Sequence, residues 1–315
     1  MGRKVLITGG AGFIASHVAD AHLAAGDRVT ILDDLSSGRR ENIPKGAEFV
    51  HGDIRSAEAR ALLASGGFNV LNHHAAQIDV RHSVADPVAD SGINIVGLLN
   101  LLEGARAGGV RRVVFASSGG VVYGEKGRLP MVETETKLPV SPYGGAKLAS
   151  EYYLAIYTAL YGMETVALRY SNVYGPRQRA DGEAGVVAIF GRRLLAGQPI
   201  TIFGDGQQTR DMVFVKDVAE ANVAASNWPV APLESVDTRA FNIGTGVETS
   251  VNRLAELLAA AAGRKLDARP APARAGELSR SVLSVEKAGR VLGWKPRTPL
   301  SEGLRATMRY LAEQD

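Results

Sequence analysis

Residues 4–15 read KVLITGGAGFIA: a short apolar run, a glycine-rich turn, and the start of a longer apolar segment. Gly9, Gly12 and Ala15 fill the spacing G-x-x-G-x-x-G/A. The first position permits a tight turn. The second lets backbone approach a pyrophosphate at a helix N-terminus, where free amides and the helix dipole favour anions. The third allows close helix–strand packing, and the single methyl of Ala15 is tolerated there. The next apolar run, RVTILDD, ends in Asp33, where the dinucleotide fingerprint expects an acid about 20 residues on. Such an acid accepts hydrogen bonds from ribose hydroxyls and repels a 2′-phosphate, which favours NAD over NADP. Arg39 and Arg40 are the counter-signal, since either could pair with that phosphate. Asp53, in HGDIR, could reach the adenine edge or equally end a strand as a capping residue.

Working outward, KVLITG, RVTILDD, AEFVHGD, NVLNHHA, RRVVFASS and TVALRY (165–170) read as strands, near-continuously apolar as in a sheet covered on both faces. Helix-like segments fall at 12–25, 56–65, 85–107 and 143–162. This alternation predicts a doubly wound parallel sheet with right-handed crossovers. Beyond 170 proline and glycine recur (YGPRQ, FGDGQQ, ARPAPARAGE). We therefore expect a dinucleotide-binding domain over 1–170 and a smaller α/β substrate domain over 171–315, with segments near 212–225 and 241–246 returning to the first.

The chain has 315 residues, 45% of them hydrophobic, enough for a well-buried core of one large or two modest domains. No apolar run approaches the ~20 residues that span a bilayer, and the N-terminal stretch does not read as a signal peptide. Cysteine is absent, which excludes disulfide and thiolate chemistry and fits a reducing cytoplasm. The net charge of +3 is dispersed, without the dense basic run of a nucleic-acid binder. His73 and His74 invite a metal, but neighbours on a strand face opposite ways and cannot share an ion. We expect one in the core and the other near the cofactor, and no metal site.

SPYGGAKLASEYY, residues 141–153, sets Lys147 one helical turn after Tyr143. A free phenol, with a pKa of about 10, is too weakly acidic to work as a base at neutral pH. An ammonium nearby and a positive nicotinamide ring would both favour the phenolate.

Taken together, TGGAGFIAS, DDLSSG, HGDIR, HHAAQ, SSGGVVYGE, SPYGGAK, LRYSNVYGPRQ, GDGQQTRDMVFVKDVAEA, FNIGTG and LGWKP resemble, in order and over nearly the whole chain, the extended short-chain dehydrogenase/reductase family, in its branch of nucleotide-sugar epimerases and dehydratases. The resemblance implies a Rossmann-type fold, bound NAD, and catalysis by Ser118, Tyr143 and Lys147, with Ser117 as the competitor to Ser118. It extends the cofactor site from Gly9, Gly12 and Ala15 to Phe13 and Ile14, and from Asp33 to Asp34, Ser36 and Gly38. It also adds Ile54 beside Asp53, then Ala75, Ala76 and Gln77, and finally Asn94 and Tyr170. For the substrate diphosphate it implies Asn172, Arg210 and Arg274, with Glu277 on the nucleotide ribose.

Dehydratases of the family carry an Asp-Glu pair after the catalytic hydroxyl, because eliminating water needs an acid and a base. Here those positions are Gly119 and Gly120, and Glu125 lies several residues off. The glycines resemble the family's 4-epimerases and would leave room for a keto-sugar to turn. The implied activity is NAD-dependent 4-epimerisation of a UDP-hexose through a 4-keto intermediate. Ser281 stands where relatives confined to small sugars carry a tyrosine, which implies space for an N-acetyl group. Uronic-acid substrates stay open, with Arg81, Arg177 or Arg179 as partners for a carboxylate. An NADPH-dependent keto-sugar reductase would want a cation in place of Asp33. A non-enzymatic dinucleotide sensor on this fold would typically have lost Tyr143 or Lys147. A homodimer through helices 85–107 and 143–162 is implied by analogy, with Leu148, Tyr152, Ala155 and Ala159 as one apolar stripe that could equally be core.

Overall fold

The computed structural model describes residues 2–124, 127–180, 185–273 and 278–314. The first half alternates β1 (Lys4–Thr8), α1 (Phe13–Ala24), β2 (Arg28–Asp33), β3 (Glu48–His51), α2 (Ala57–Ser65) and β4 (Val70–His73). Next come α3 (Val80–Ala85), α4 (Pro87–Ser91), a π-helical turn over Gly92–Val96, α5 (Gly97–Ala107), β5 (Arg112–Ser118), α6 (Pro142–Tyr161) and β6 (Glu164–Tyr170). The second half holds β7 (Asn172–Tyr174), α7 (Val186–Leu195), β8 (Ile200–Phe203), β9 (Thr209–Phe214), α8 (Val215–Asn227) and β10 (Ala240–Ile243). It ends with β11 (Glu248–Ser250), α9 (Val251–Ala262), β12 (Ala268–Ala271), β13 (Arg280–Ser281) and α10 (Leu300–Ala312).

Seven strands form one parallel sheet in the order β10-β6-β5-β4-β1-β2-β3. One face is covered by α1 and α8, the other by α2, α5 and α6. Burial on both faces explains why Val5, Leu6 and Ile7 are successive apolar residues without alternation. The strand order reverses between β1 and β4, and in open α/β sheets that switch point, at the carboxyl ends, is where ligands bind. β10 belongs to this sheet and α8 packs on α1.

The remaining strands form a small sheet, β11-β9-β13 with β7 also on β9, and a parallel pair β12-β8. Around them α7, α9 and α10 enclose a separate core that includes Phe190, Ile200, Leu254, Leu258 and Met308. A buried brace ties α6 to the large sheet. The Arg169 guanidinium grips Glu151 of α6 at 2.6 Å and Asp237 at 2.8 Å, and also donates to the Tyr123 hydroxyl.

Candidate active site

The turn after β1 is shaped by contact rather than by flexibility. Gly9 sits at φ +69°, and a Cβ there would lie 2.8 Å from the amide nitrogen of Ala75. Gly12 begins α1 with no side-chain cap, so the first amides of the helix stay available to an anion. Asp33 is buried, and its carboxylate accepts the amides of Ala11 at 3.0 Å and Leu35 at 2.8 Å. Burial pushes its pKa up, and those two amides work against the shift. Gly38 lies behind it: a Cβ there would come within 2.8 Å of both Asp33 Oδ1 and the Ala11 methyl. Arg39 turns to Glu41, and Arg40 lies over the Phe49 ring. Neither lines the cleft, which leaves Asp33 to select against a 2′-phosphate.

A cleft of about 630 Å³ opens at the switch point. Gly9, Gly12, Phe13, Ile14 and Ala15 line it from the turn, with Asp33, Asp34 and Ser36 from the end of β2. Asp53, Ile54, Ala75, Ala76 and Gln77 continue the wall to Tyr143, Lys147 and Tyr170. Of the expected cofactor residues, Gly38 and Asn94 alone are set behind the wall. Asn94 bonds both the amide and the carbonyl of Gln77 at 3.0 Å. The Asp53 carboxylate is held by the Arg55 side chain, which lowers its pKa, so it is partly committed to its own turn. His73 is in the core, bonded to Thr8 and stacked on Phe115, while His74 lines the cleft against Tyr170. Among the described residues no cluster of His, Cys, Asp or Glu could hold a metal ion.

Ser141 caps α6 by accepting the Gly144 amide at 3.1 Å, with Pro142 in the first turn, and this fixes where Tyr143 emerges. Lys147 is buried and donates to the Ala116 carbonyl at 2.9 Å; its Nζ lies 5.7 Å from the Tyr143 ring centroid. The expectation that Lys147 acidifies Tyr143 is not met in the protein by itself. Burial raises the phenol pKa and the charge of Asp90 adds to the rise, while the ammonium is turned to a carbonyl. Burial also brings Lys147 down to about 8, against the pull of Asp90 and Glu151.

The two serines divide. Ser117 donates to Glu151 at 2.5 Å and is committed to the Arg169 brace, although it touches the cleft. Ser118 is partly exposed at the end of β5, and its hydroxyl makes no hydrogen bond among the described residues. The glycines after it also differ. A Cβ on Gly119 would meet the end of the Leu283 side chain at 2.6 Å, so that position packs against Leu283. Gly120 is open, its nearest neighbour being the Ser118 hydroxyl at 3.8 Å.

Asn172, Arg210 and Ser281 do not line the cleft. They lie on β7, β9 and β13 of the small sheet, with Ser281 paired to Arg210 in register. Ser281 is buried, and Arg210 donates to the carbonyls of Thr209 and Leu278. Arg274, Glu277 and Glu125 lie outside the described residues.

The profile of the NAD dependent epimerase/dehydratase family matches residues 5–244. The chain belongs to that family. UDP-glucose 4-epimerase of Mycolicibacterium smegmatis is 46% identical over 312 residues, with 98% of each chain covered. The crystal structure of UDP-glucose 4-epimerase from Thermotoga maritima with UDP-glucose superposes with a TM-score of 0.94 at 43% identity, covering 99% of both chains. The UDP-glucose 4-epimerase of Thermus thermophilus in complex with NAD gives 0.88 at 45% identity, covering 98% of this chain and 99% of that one. A glycine turn closed to any side chain and a buried acid at the end of β2 fit the NAD of this epimerase family.

Some cleft residues escaped sequence reasoning. Asn42 is buried and donates to the Ala11 carbonyl, bracing the glycine turn from a loop with no motif of its own. Arg177 and Arg179, read in the sequence only as partners for a carboxylate, line the cleft and bond to Asp20 and to the Ser37 carbonyl. YGPRQ was the signal for them, but their targets lie about 140 to 160 residues away in sequence.

Proposed function

We propose that the protein catalyses NAD-dependent 4-epimerisation of a UDP-hexose, interconverting UDP-galactose and UDP-glucose through a 4-keto sugar. The observation that carries this reading is the opening of Tyr143 and Lys147 onto the same cleft as the glycine turn, with Gly119 and Gly120 after Ser118 where an acid–base pair would stand. When bound, NAD supplies a hydride acceptor that later returns the hydride, and its oxidised form adds a second positive charge to the site. Tyr143 as phenolate takes the proton of the sugar's 4-hydroxyl as the hydride leaves the same carbon, and gives it back on the return. Lys147, tethered at the Ala116 carbonyl, balances the phenolate charge. Ser118 bridges the phenol and the sugar oxygen, and burial keeps bulk water from the keto-sugar.

The nucleotide end rests on Asn172, Arg210, Arg274 and Glu277, where two guanidiniums and an amide suit a dianion. Buried Ser281 beside Arg210 supports a pocket that also admits UDP-N-acetylhexosamines. Residues 1–170 with the returning α8 and β10 form the cofactor domain in this reading, and the rest of 171–315, β9 included, the sugar-nucleotide domain. A cytoplasmic homodimer goes with it, since NAD and UDP-sugars are held there. Tyr152, Ile156 and Leu160 form an exposed apolar stripe on α6, near exposed Val84 and Val88. It shares Tyr152 with the Leu148, Tyr152, Ala155 and Ala159 stripe read in the sequence and continues through Ile156 and Leu160. No helix among the described residues is long and apolar enough to cross a membrane.

The test is to incubate the purified protein with UDP-galactose, without added NAD, and follow the anomeric proton signals by NMR. Appearance of UDP-glucose is the expected result. No conversion even with NAD supplied, alongside turnover of UDP-glucuronate, would replace the hexose reading with the uronate one.

A further inference from the structure

A fully buried carboxylate lies beneath the cleft and takes no part in the chemistry above. Asp90 is in α4, just before the π-helical turn. Its Oδ1 accepts Gln77 Nε2 at 2.8 Å and Asn94 Nδ2 at 3.0 Å. The other protons of those two amides go to the carbonyls of Asp79 and Gln77, at 2.9 and 3.0 Å. Every N–H of both side-chain amides is thereby spent, and half of them are spent on Asp90. Gln77 lines the cleft. Asn94 is fixed from the other side by Ser150 of α6, which donates to its carbonyl at 3.3 Å.

The second oxygen of Asp90 has no hydrogen-bond partner among the described residues. A buried carboxylate with half its shell unfilled is costly to keep unless its charge acts on something. The helix α4 that carries Asp90 packs directly on α6, the helix of Tyr143 and Lys147. The Asp90 charge acts on both and on His82 of α3, and from the Ala75–Asp79 loop it meets the neutral Gln77 amide. It opposes the loss of the Lys147 proton and, in the same direction, the loss of the Tyr143 proton.

We infer that Asp90 is a positioning residue of this site: it orients the Gln77 and Asn94 amides at the cofactor wall and supplies the buried negative charge that acts on Tyr143 and Lys147. The inference rests on the epimerase reading for its kinetic half and on NAD binding alone for the other. Without the charge, ammonium and phenol both lose their protons more readily. Both limbs of a bell-shaped kcat profile therefore move to lower pH.

Two variants separate these roles. Asp90→Asn keeps an acceptor oxygen and the shape but removes the charge. It should retain NAD through gel filtration and shift the whole kcat–pH bell down by about one unit. A merely structural role would lower the bell without moving it. Asp90→Ala strands two amide protons and should weaken NAD binding, read by equilibrium dialysis, about tenfold or more. Should Asp90→Ala not fold, the Asp90→Asn profile decides. A bell that stays in place in Asp90→Asn, or parental NAD affinity in a folded Asp90→Ala, overturns the assignment. Failure of the parent to turn over UDP-galactose would instead sink the epimerase reading and leave the NAD result standing.

Discussion

The cofactor side and the sugar-nucleotide side of this molecule are built on different scales. On the first, one β1–α1–β2 unit already contains the geometry: Gly9 cannot carry a side chain, and Asp33 is clamped by the amides of Ala11 and Leu35. On the second, Asn172, Arg210 and Ser281 meet only because β7 and β13 both pair with β9. A short motif thus specifies a phosphate turn, whereas an arginine acquires a role only from the strand that lies beside it.

The sharpest way to break that contrast is at the catalytic end of the cofactor cleft. Tyr143→Phe should reduce kcat on UDP-galactose by roughly 10³-fold, within the range for a general base, while NAD retention stays parental. A loss of less than tenfold would move the base elsewhere. Next in size, Ser118→Ala should lower kcat about 10²-fold without lowering the melting temperature. Ser117→Ala should do the reverse, destabilising by about 1–2 kcal/mol through the lost bond to Glu151 and keeping kcat within a few-fold. Exchanged phenotypes would reassign the hydroxyl.

On the sugar side, Ser281→Tyr should remove turnover of UDP-N-acetylgalactosamine and spare UDP-galactose. Equal loss of both would detach Ser281 from the sugar pocket. The smallest effect concerns acid stability. All six histidines fall before residue 83 and none follows, so their titration belongs to the cofactor side. Burial lowers His17 to about 4 and His74 to about 3, and holds His73 well below the usual range. The unfolded chain binds these protons near pH 6.5, so the stabilisation is present above that pH and is lost as pH falls toward 4. Each such histidine adds a slope of about 1.4 kcal/mol per pH unit. In urea titrations between about pH 6.5 and 4.5, His17→Gln should flatten the dependence by one such increment. An unchanged slope would mean that His17 is not held neutral.

The six strands and the main helices of the first half were legible because burial on both faces of a parallel sheet leaves unbroken apolar runs, which composition reveals directly. Gly9, Gly12 and Asp33 were legible because their spacing is the geometry. The charge state of Tyr143 was not. Its proximity to Lys147 is helical arithmetic, but the sign of its pKa shift depends on burial and on Asp90, 53 residues away in sequence. The packing of Gly119 was not legible either, since its neighbour Leu283 comes from the far end of the chain.

By itself, then, the sequence determined the layered α/β fold, the glycine turn after β1 and the one-turn spacing of Tyr143 and Lys147, all of which arise from residues within a few turns of one another. Tertiary structure alone decided that Ser117 is spent on Glu151, that Arg177 and Arg179 line the cleft while bonded to Asp20 and the Ser37 carbonyl, and that Asp90 is buried in a helix packed on α6. Each of these depends on desolvation and on contacts between distant segments, and neither quantity exists until the chain has packed.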